Sequence, residues 1–320
     1  MDFESQIREA VALHFPGRAV KGFHDRGAWV RQIVDVTLDN DERVLFKISL
    51  QRPGWLEGGE AIEQDVAEIL KAHGLAVVPR VLAVDSTCAI VPHPYVIQAR
   101  VGGTRLASLL QQVPDEGVGI YEVVGRLYAQ IHAVHSSRDG LWNGSTPDEP
   151  WGAPTAYMYQ AEIVEGSGRA ALEAGRISRN SYDRTVSLWK TNLDYLNAHT
   201  PSLVHISAFP WTIYLERESH GWHIAKLLSV GDFLWWDAAF DVACLRYPPF
   251  GEMKPAWWAG FLAGYGEDPE RKRLLLYAVM QRLCAVMGCY MEPEAPANEA
   301  WRAHALDDLS DMLDEIESLM

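Results

Sequence analysis

The sequence is poor in three things, and each shortage removes a class of protein. Cysteine is scarce: Cys88, Cys244, Cys284 and Cys289 are the four in 320 residues, and no two form a CxxC pair. A disulfide framework or a thiolate zinc site therefore finds no support, and a reducing cytoplasm suits the composition. Long apolar runs are missing too. No stretch approaches the roughly 18 residues of a membrane-crossing helix, and the acidic start Met1-Asp2-Phe3-Glu4-Ser5 does not read as a signal peptide. Positive charge is the third shortage: 28 Lys and Arg stand against 43 Asp and Glu, a net charge of −15. That balance argues against binding a nucleic-acid backbone or an anionic membrane surface, because both need a positive footprint. It suits a cationic small molecule, or simply solubility.

What is present suffices for two lobes with separate cores: 48% of residues are hydrophobic, 22% are charged, and there are 12 tryptophans. The first third is β-rich. Ile7, Val11, Leu13 and Phe15 stripe a short helix over 5–15, and 28–50 reads as two strands around the turn cluster Asp39-Asn40-Asp41. Ile62, Val66, Ile69 and Leu70 mark a helix over 60–73 that Gly74 ends, followed by strand-length apolar runs at 77–84 and 95–98. After Gly102-Gly103 long amphipathic segments take over, at 105–112, 118–135, 153–175 and 180–198. A β-like island at 203–233 interrupts them, and helical patterns resume at 236–246, 255–265, 269–290 and 297–319. The predicted fold is α+β and bilobal: a β-rich N-lobe over 1–99, a connector at 98–103, and a helical C-lobe over 100–320 with the hairpin 203–233 embedded in it.

Several motifs occur in one order over nearly the whole chain. Val44-Leu45-Phe46-Lys47 ends a strand in lysine, and Glu63 opens Glu-Gln-Asp-Val-Ala-Glu-Ile-Leu on the next helix. Gly74-Leu75-Ala76-Val77-Val78-Pro79-Arg80-Val81-Leu82 follows, then Gly125-Arg126-Leu127-Tyr128-Ala129-Gln130-Ile131-His132, then Trp257-Trp258-Ala259-Gly260-Phe261-Leu262-Ala263-Gly264-Tyr265-Gly266. In this order they resemble the small-molecule kinases of the aminoglycoside phosphotransferase and choline kinase-like family, with a protein-kinase-like fold. The resemblance implies that Lys47 reaches nucleotide phosphates and that Glu63 holds it by an ion pair. Glu63 has acidic neighbours in Glu60, Asp65 and Glu68, which also reads as a solvated helix face. The family's glycine-rich loop is represented only by Gly22-Phe23-His24-Asp25-Arg26-Gly27-Ala28.

The same resemblance marks where chemistry should be. The family's catalytic loop reads H-G-D-x-x-x-x-N, with the aspartate as general base and the asparagine as metal ligand. Here the stretch is Val204-His205-Ile206-Ser207-Ala208-Phe209-Pro210-Trp211-Thr212. His205 is kept, Ser207 takes the aspartate position, and Thr212 takes that of the asparagine. The second metal-binding aspartate lies twelve residues before the helix start Asp241-Val242-Ala243, a count that falls on Ser229. A shift of three residues would put Asp232 there instead. Asp237 and Asp241 match scaffold acids that hold the loop by its backbone. A serine hydroxyl is no base near neutrality, which costs about a hundred- to ten-thousand-fold in rate. Neutral hydroxyls are also poor ligands for Mg²⁺.

The sequence therefore leads to an expectation of a pseudokinase that binds a small molecule, apolar or cationic, between its lobes without nucleotide or metal. A repurposed, non-phosphorylating enzyme of a biosynthetic pathway is a second reading. An active phosphotransferase using ATP or GTP with Mg²⁺ on Asp232 is a third. Phe209, Trp211, Phe233, Trp235 and Trp236 flank the altered segments and are candidates to line the ligand cleft by stacking, or else to pack the loop. Ser207 with His205 lacks a nucleophile elbow and an orienting acid. His132, with His135 three residues on, and Met280, Met287 and Met291 read as packing.

Overall fold

Alternation builds the first sheet. Val44, Phe46 and Ile48 are fully buried along one face of their strand, so Leu45 and Lys47 belong to the other. The computed structural model describes residues 3–26, 31–50, 59–141, 155–248, 253–287 and 297–320. Contacts divide the chain into two compact units, residues 1–103 with 225–232 and residues 104–224 with 233–320.

The first unit runs α1 (Phe3–His14), β1 (Val20–Asp25), β2 (Arg31–Leu38), β3 (Arg43–Ser49), α2 (Gly59–Ala72), β4 (Val81–Asp85) and β5 (Tyr95–Ala99). The strands form one antiparallel sheet in the order β1-β2-β3-β5-β4. Ile7, Ala10 and Val11 of α1 close a core with Val34, Phe46 and Ile97 on one face. The other face turns Lys47 and Gln98 to α2. Asp41 accepts a φ of 64° in the β2–β3 turn, a conformation that aspartate tolerates better than most residues. Gly74, at φ 81°, ends α2: its own N–H bonds the Lys71 carbonyl and that of Leu75 bonds the Leu70 carbonyl, a Schellman cap.

Two sequence expectations change here. The first part of the glycine-rich candidate is strand: Gly22 pairs with Thr37 in the β1–β2 ladder, and Arg26 follows the end of β1. Gly27 and Ala28 of that candidate, with Trp29 and Val30 of the predicted first strand, lie outside the described residues. The apolar run 77–84 becomes a strand only from Val81, since Pro79 has no N–H to give a ladder.

The second unit begins with β6 (Thr104–Arg105), α3 (Leu106–Gln112), α4 (Gly117–His132) and β7 (Gly140–Leu141). The segment expected as one helix over 153–175 is α5 (Thr155–Tyr159), a π-helical stretch over Gln160–Ser167, and α6 (Gly168–Glu173). That over 180–198 divides at Asn192 into α7 (Arg179–Thr191) and α8 (Leu193–Asn197). Then come β8 (Ser202–Val204), β9 (Ile213–Glu218), β10 (Gly221–Leu227), β11 (Leu234–Trp236), α9 (Ala239–Arg246), α10 (Pro255–Tyr265), α11 (Arg271–Met287) and α12 (Ala297–Ser318). The β-like island thus serves two small sheets, β10-β9-β6 and β7-β11-β8. From Ala225 the end of β10 belongs with the first unit.

Helices α4 and α10 pack backbone against backbone. A methyl group added at Gly125, Gly260 or Gly264 would run into the carbonyl oxygen of Phe261, Val118 or Glu122 respectively. Met280 is buried in α11, while Cys289 and Met291 lie outside the described residues. No helix among the described residues is long and apolar enough to cross a membrane.

Candidate functional site

In the first unit, period-two alternation takes Lys47 off the core face of β3 and α2 brings Glu63 to meet it. The ammonium donates to one carboxylate oxygen of Glu63, and the Gln98 side-chain amide donates to the other. Glu63 is only 2% exposed, so its charge is held in the interior by one cation and one amide dipole. A buried carboxylate needs that degree of satisfaction to remain ionised without a large penalty. Glu63 is thus distinct from its acidic neighbours Asp65, which is half-buried, and Glu68, which is exposed.

The segment 225–232 belongs to the same unit. Past β10 the chain turns at Ser229, with φ 60°, into a single 3-10 turn over Val230–Asp232 that packs against α2. The Asp232 N–H bonds the Ser229 carbonyl at 3.2 Å, and the Asp232 side chain is half-buried.

In the second unit a loop leaves β8 at His205 and reaches β9 at Ile213. Asp241, 0% exposed in the first turn of α9, anchors its start: one carboxylate oxygen accepts from the His205 N–H at 2.7 Å, the other from the Ile206 N–H at 2.9 Å. Two histidines and two tyrosines complete the anchor. Burial pushes the Tyr128 and Tyr265 hydroxyls far up, with nearby Asp241 adding to the effect, so both stay protonated and donate. Tyr128 meets His205 Nδ1 at 2.9 Å and Tyr265 meets His132 Nδ1 at 2.8 Å. That leaves His132 Nε2–H to donate to Asp241 at 3.2 Å.

The loop itself is strained. Ile206 has φ 63°, and the Ser207 N–H bonds the His205 carbonyl across it at 2.7 Å. This is a γ-turn of the positive-φ kind, rare for any residue and costly for a β-branched one. The loop motif that the stretch resembles carries glycine at this step. Next, the Phe209 N–H bonds the Ser207 carbonyl at 2.8 Å. The Thr212 hydroxyl, in a residue only 4% exposed, points back at the Ser207 and Phe209 carbonyls, 2.7 and 2.9 Å away. Its one hydrogen is shared within the loop. Ser207 is half-buried.

Most aromatics proposed to line a cleft are core instead. Phe209, Phe233, Trp235 and Trp236 are 3%, 2%, 2% and 0% exposed. Phe233 stacks on His205 at 4.9 Å, and Trp236 is enclosed by Tyr159, Phe240 and Tyr277 at 4.7 to 5.0 Å. Strand β11, central in its sheet, carries Trp235 and Trp236 into the interior. Trp211 alone is half-exposed, stacked on Phe209 at 4.6 Å. Asp237 is likewise internal: it accepts from the Ala239 N–H at 2.9 Å, Tyr277 at 2.7 Å and Arg273 at 2.5 Å.

Residues to which the motifs gave no role therefore complete the arrangement. Gln98, Tyr128, Tyr265, Arg273 and Tyr277 act on partners 35 to 133 positions away, a relation that no local pattern carries. Ile206 had a visible sign, a branched side chain where the loop motif has glycine.

As for metal, the two loop positions offer neutral hydroxyls, and that of Thr212 is engaged by carbonyls. Among the described residues no group of three or more His, Cys, Asp or Glu could hold a metal ion. Two neutral hydroxyls are a poor donor pair for Mg²⁺, which favours anionic oxygens.

Residues 26–275 match the profile of APH, the phosphotransferase enzyme family. No curated protein matches the chain. Among solved structures, the chain is similar to the GDP complex of aminoglycoside 2'-phosphotransferase-IIIa, with a TM-score of 0.62 and 12% identity over 95% of this chain and 96% of that one. It is similar to a thermostable mutant of aminoglycoside phosphotransferase APH(4)-Ia in complex with ADP and hygromycin B, with a TM-score of 0.66 and 12% identity over 97% and 98% of the two chains. It is also similar to a putative fructosamine-3-kinase from Thermobifida fusca, with a TM-score of 0.61 and 16% identity over 96% and 98%. At such identities these likenesses establish the fold, a protein-kinase-like one with a β-sheet N-terminal part and a helical C-terminal part.

Proposed function

The chain belongs to the phosphotransferase enzyme family, and from that premise we propose that it is a member that binds a small molecule without transferring phosphate to it. The observation that carries this reading is the loop 205–212. Its backbone frame is fixed by Asp241 and held through a strained γ-turn. Yet the side chain at the base position is Ser207, and the hydroxyl of Thr212 serves the loop's own carbonyls. A frame kept under strain and stripped of its base supports retention of the fold for binding. The loss of a general base alone removes about a hundred- to ten-thousand-fold of rate. With poor metal donors as well, little is left to neutralise charge at a transferring phosphoryl group.

The left-handed backbone at Ser229 supports the direct motif count over the shifted one. That conformation favours Asp or Asn among non-glycine residues, which suits the acid the family motif has there. Asp232 lies instead on the following 3-10 turn.

One observation favours a second reading in part. The Lys47–Glu63 pair is intact, so the first unit keeps the feature that family members direct at nucleotide phosphates. An active kinase using Asp232 would exploit it. A thermal-shift titration with ATP and GTP, with and without Mg²⁺, separates the two. A ligand at a hundred times its Kd adds about 2.7 kcal/mol to folding stability, so binding is readable. We expect no Mg²⁺-dependent shift; a clear one would overturn the proposal in favour of phosphotransfer.

A further inference from the structure

The first unit also holds a concave surface apart from the Lys47–Glu63 pair. It is a groove of about 520 Å³ between α2, the edge strand β4 and the end of β10. Buried Leu75, Val78 and Pro79 and half-buried Val81 and Leu82 supply apolar surface. Helix α2 contributes Gln64, Ala67, Glu68 and Lys71, which at 100° per residue fall roughly a quarter-turn round from Glu63. The groove is thus a neighbour of the Lys47–Glu63 pair, separate from it.

Its charge runs against that of the whole chain. Lys71, Arg80, Arg100 and Lys226 line it, with Glu68 the single carboxylate among the described lining residues, in a protein whose net charge is −15. Four cations against one acid leave an excess of three. Internal pairing leaves much of this charge available. The side chains of Lys71 and Arg80 are exposed and make no hydrogen bond or ion pair with other described residues. Lys226 donates to the Ala76 carbonyl at 2.8 Å, which fixes its ammonium without neutralising it. Arg100 lies 3.7 Å from Asp35, a carboxylate already bonded to Arg26 at 2.5 Å. Concave walls of low dielectric lined by one sign of charge focus the field on what enters. An apolar floor with a few converging polar groups, at this volume, is the usual form of a small-molecule site.

We propose that this groove is a binding site for a small organic anion with an apolar body, such as an aromatic or alicyclic carboxylate. The apolar part lies on Leu75, Val78 and Leu82, and the anionic head meets Arg80 and Lys71. Guanidinium is suited to a planar carboxylate by its fork of donors. The site is independent of whether the chain transfers phosphate.

The test uses the full chain and two probes of equal body and opposite charge, 1-naphthoate and 1-naphthylmethylammonium, titrated calorimetrically at low salt. The expected result is at least tenfold tighter binding of the anion, although the acidic surface as a whole favours the cation. The double variant Lys71→Glu with Arg80→Glu, both exposed and so compatible with folding, should reduce naphthoate affinity at least tenfold at unchanged melting temperature. A second variant, Ala67→Trp, fills the groove sterically and should weaken both probes. Equal affinity for the two probes, or naphthoate binding indifferent to both variants, would overturn the proposal.

Discussion

On the reading proposed above, the two units treat the family's functional positions differently. In the first, the charged pair survives as chemistry: Lys47 and Glu63 meet in the interior, with Gln98 completing the carboxylate. In the second, what survives is backbone. Asp241 grips two successive N–H groups and Ile206 endures a left-handed γ-turn, but the loop presents hydroxyls where a base and a metal ligand would be. On that reading, scaffold and chemistry separate along the chain. A carboxylate that organises backbone cannot be lost without losing the loop, whereas a carboxylate that only abstracts a proton can become serine at no cost to folding.

Four measurements sharpen or break that contrast. The largest effect should come from the second unit's anchor. Asp241→Ala strands two buried N–H groups and a histidine partner, and should cost about 3–5 kcal/mol by chemical denaturation; a loss under 1 kcal/mol would mean the loop is held otherwise. In the first unit, Glu63→Ala leaves the half-buried Lys47 without its counter-charge and should cost about 3 kcal/mol. Glu63→Gln should recover part of it. Opposite in sign, Ile206→Gly should stabilise by about 1 kcal/mol, because relief of left-handed strain exceeds the entropy cost of glycine. If Ile206→Gly destabilises, the γ-turn is not strained.

The smallest effect is on pH dependence. His199 has both ring nitrogens beside acceptors, Asp139 at 2.8 Å and the Leu196 carbonyl at 2.8 Å. Burial opposes its charge, but Asp139, Asp237 and the Leu196 carbonyl outweigh it and raise its pKa above the usual 6.5. A raised folded-state value means the stabilisation is complete below about pH 6.5 and is lost as pH rises through the folded value. Denaturation curves of the natural chain should show that loss, and Asp139→Asn should remove it.

Much of this was legible beforehand where local physics decides. Val44, Phe46 and Ile48 alternate, so the face carrying Lys47 follows from the sequence, and Gly74 marks the end of α2 because few other residues cap so cheaply. Strand β1 was missed because Val20–Asp25 does not alternate, its partner β2 supplying the ladder. The π-helical stretch was missed because one amphipathic stripe looks much the same whether the turn holds an extra residue or not. Trp235 and Trp236 looked like lining because position in sequence places them near the altered segments; only the sheet β7-β11-β8 decides that they point inward. The loop's substitutions were readable, but the engagement of Thr212 with the Ser207 and Phe209 carbonyls depends on a turn that sequence does not reveal.

The central claim, that the frame persists while the chemistry has been removed, is tested most directly by putting the chemistry back. The triple variant Ser207→Asp, Thr212→Asn and Ser229→Asp should be titrated with ATP and GTP, with and without Mg²⁺, beside the natural chain, and thermal stability read for both. The account predicts no Mg²⁺-dependent stabilisation of the natural chain and a clear one in the variant. Mg²⁺-dependent stabilisation already present in the natural chain, or a variant that folds and still gains none, would contradict it.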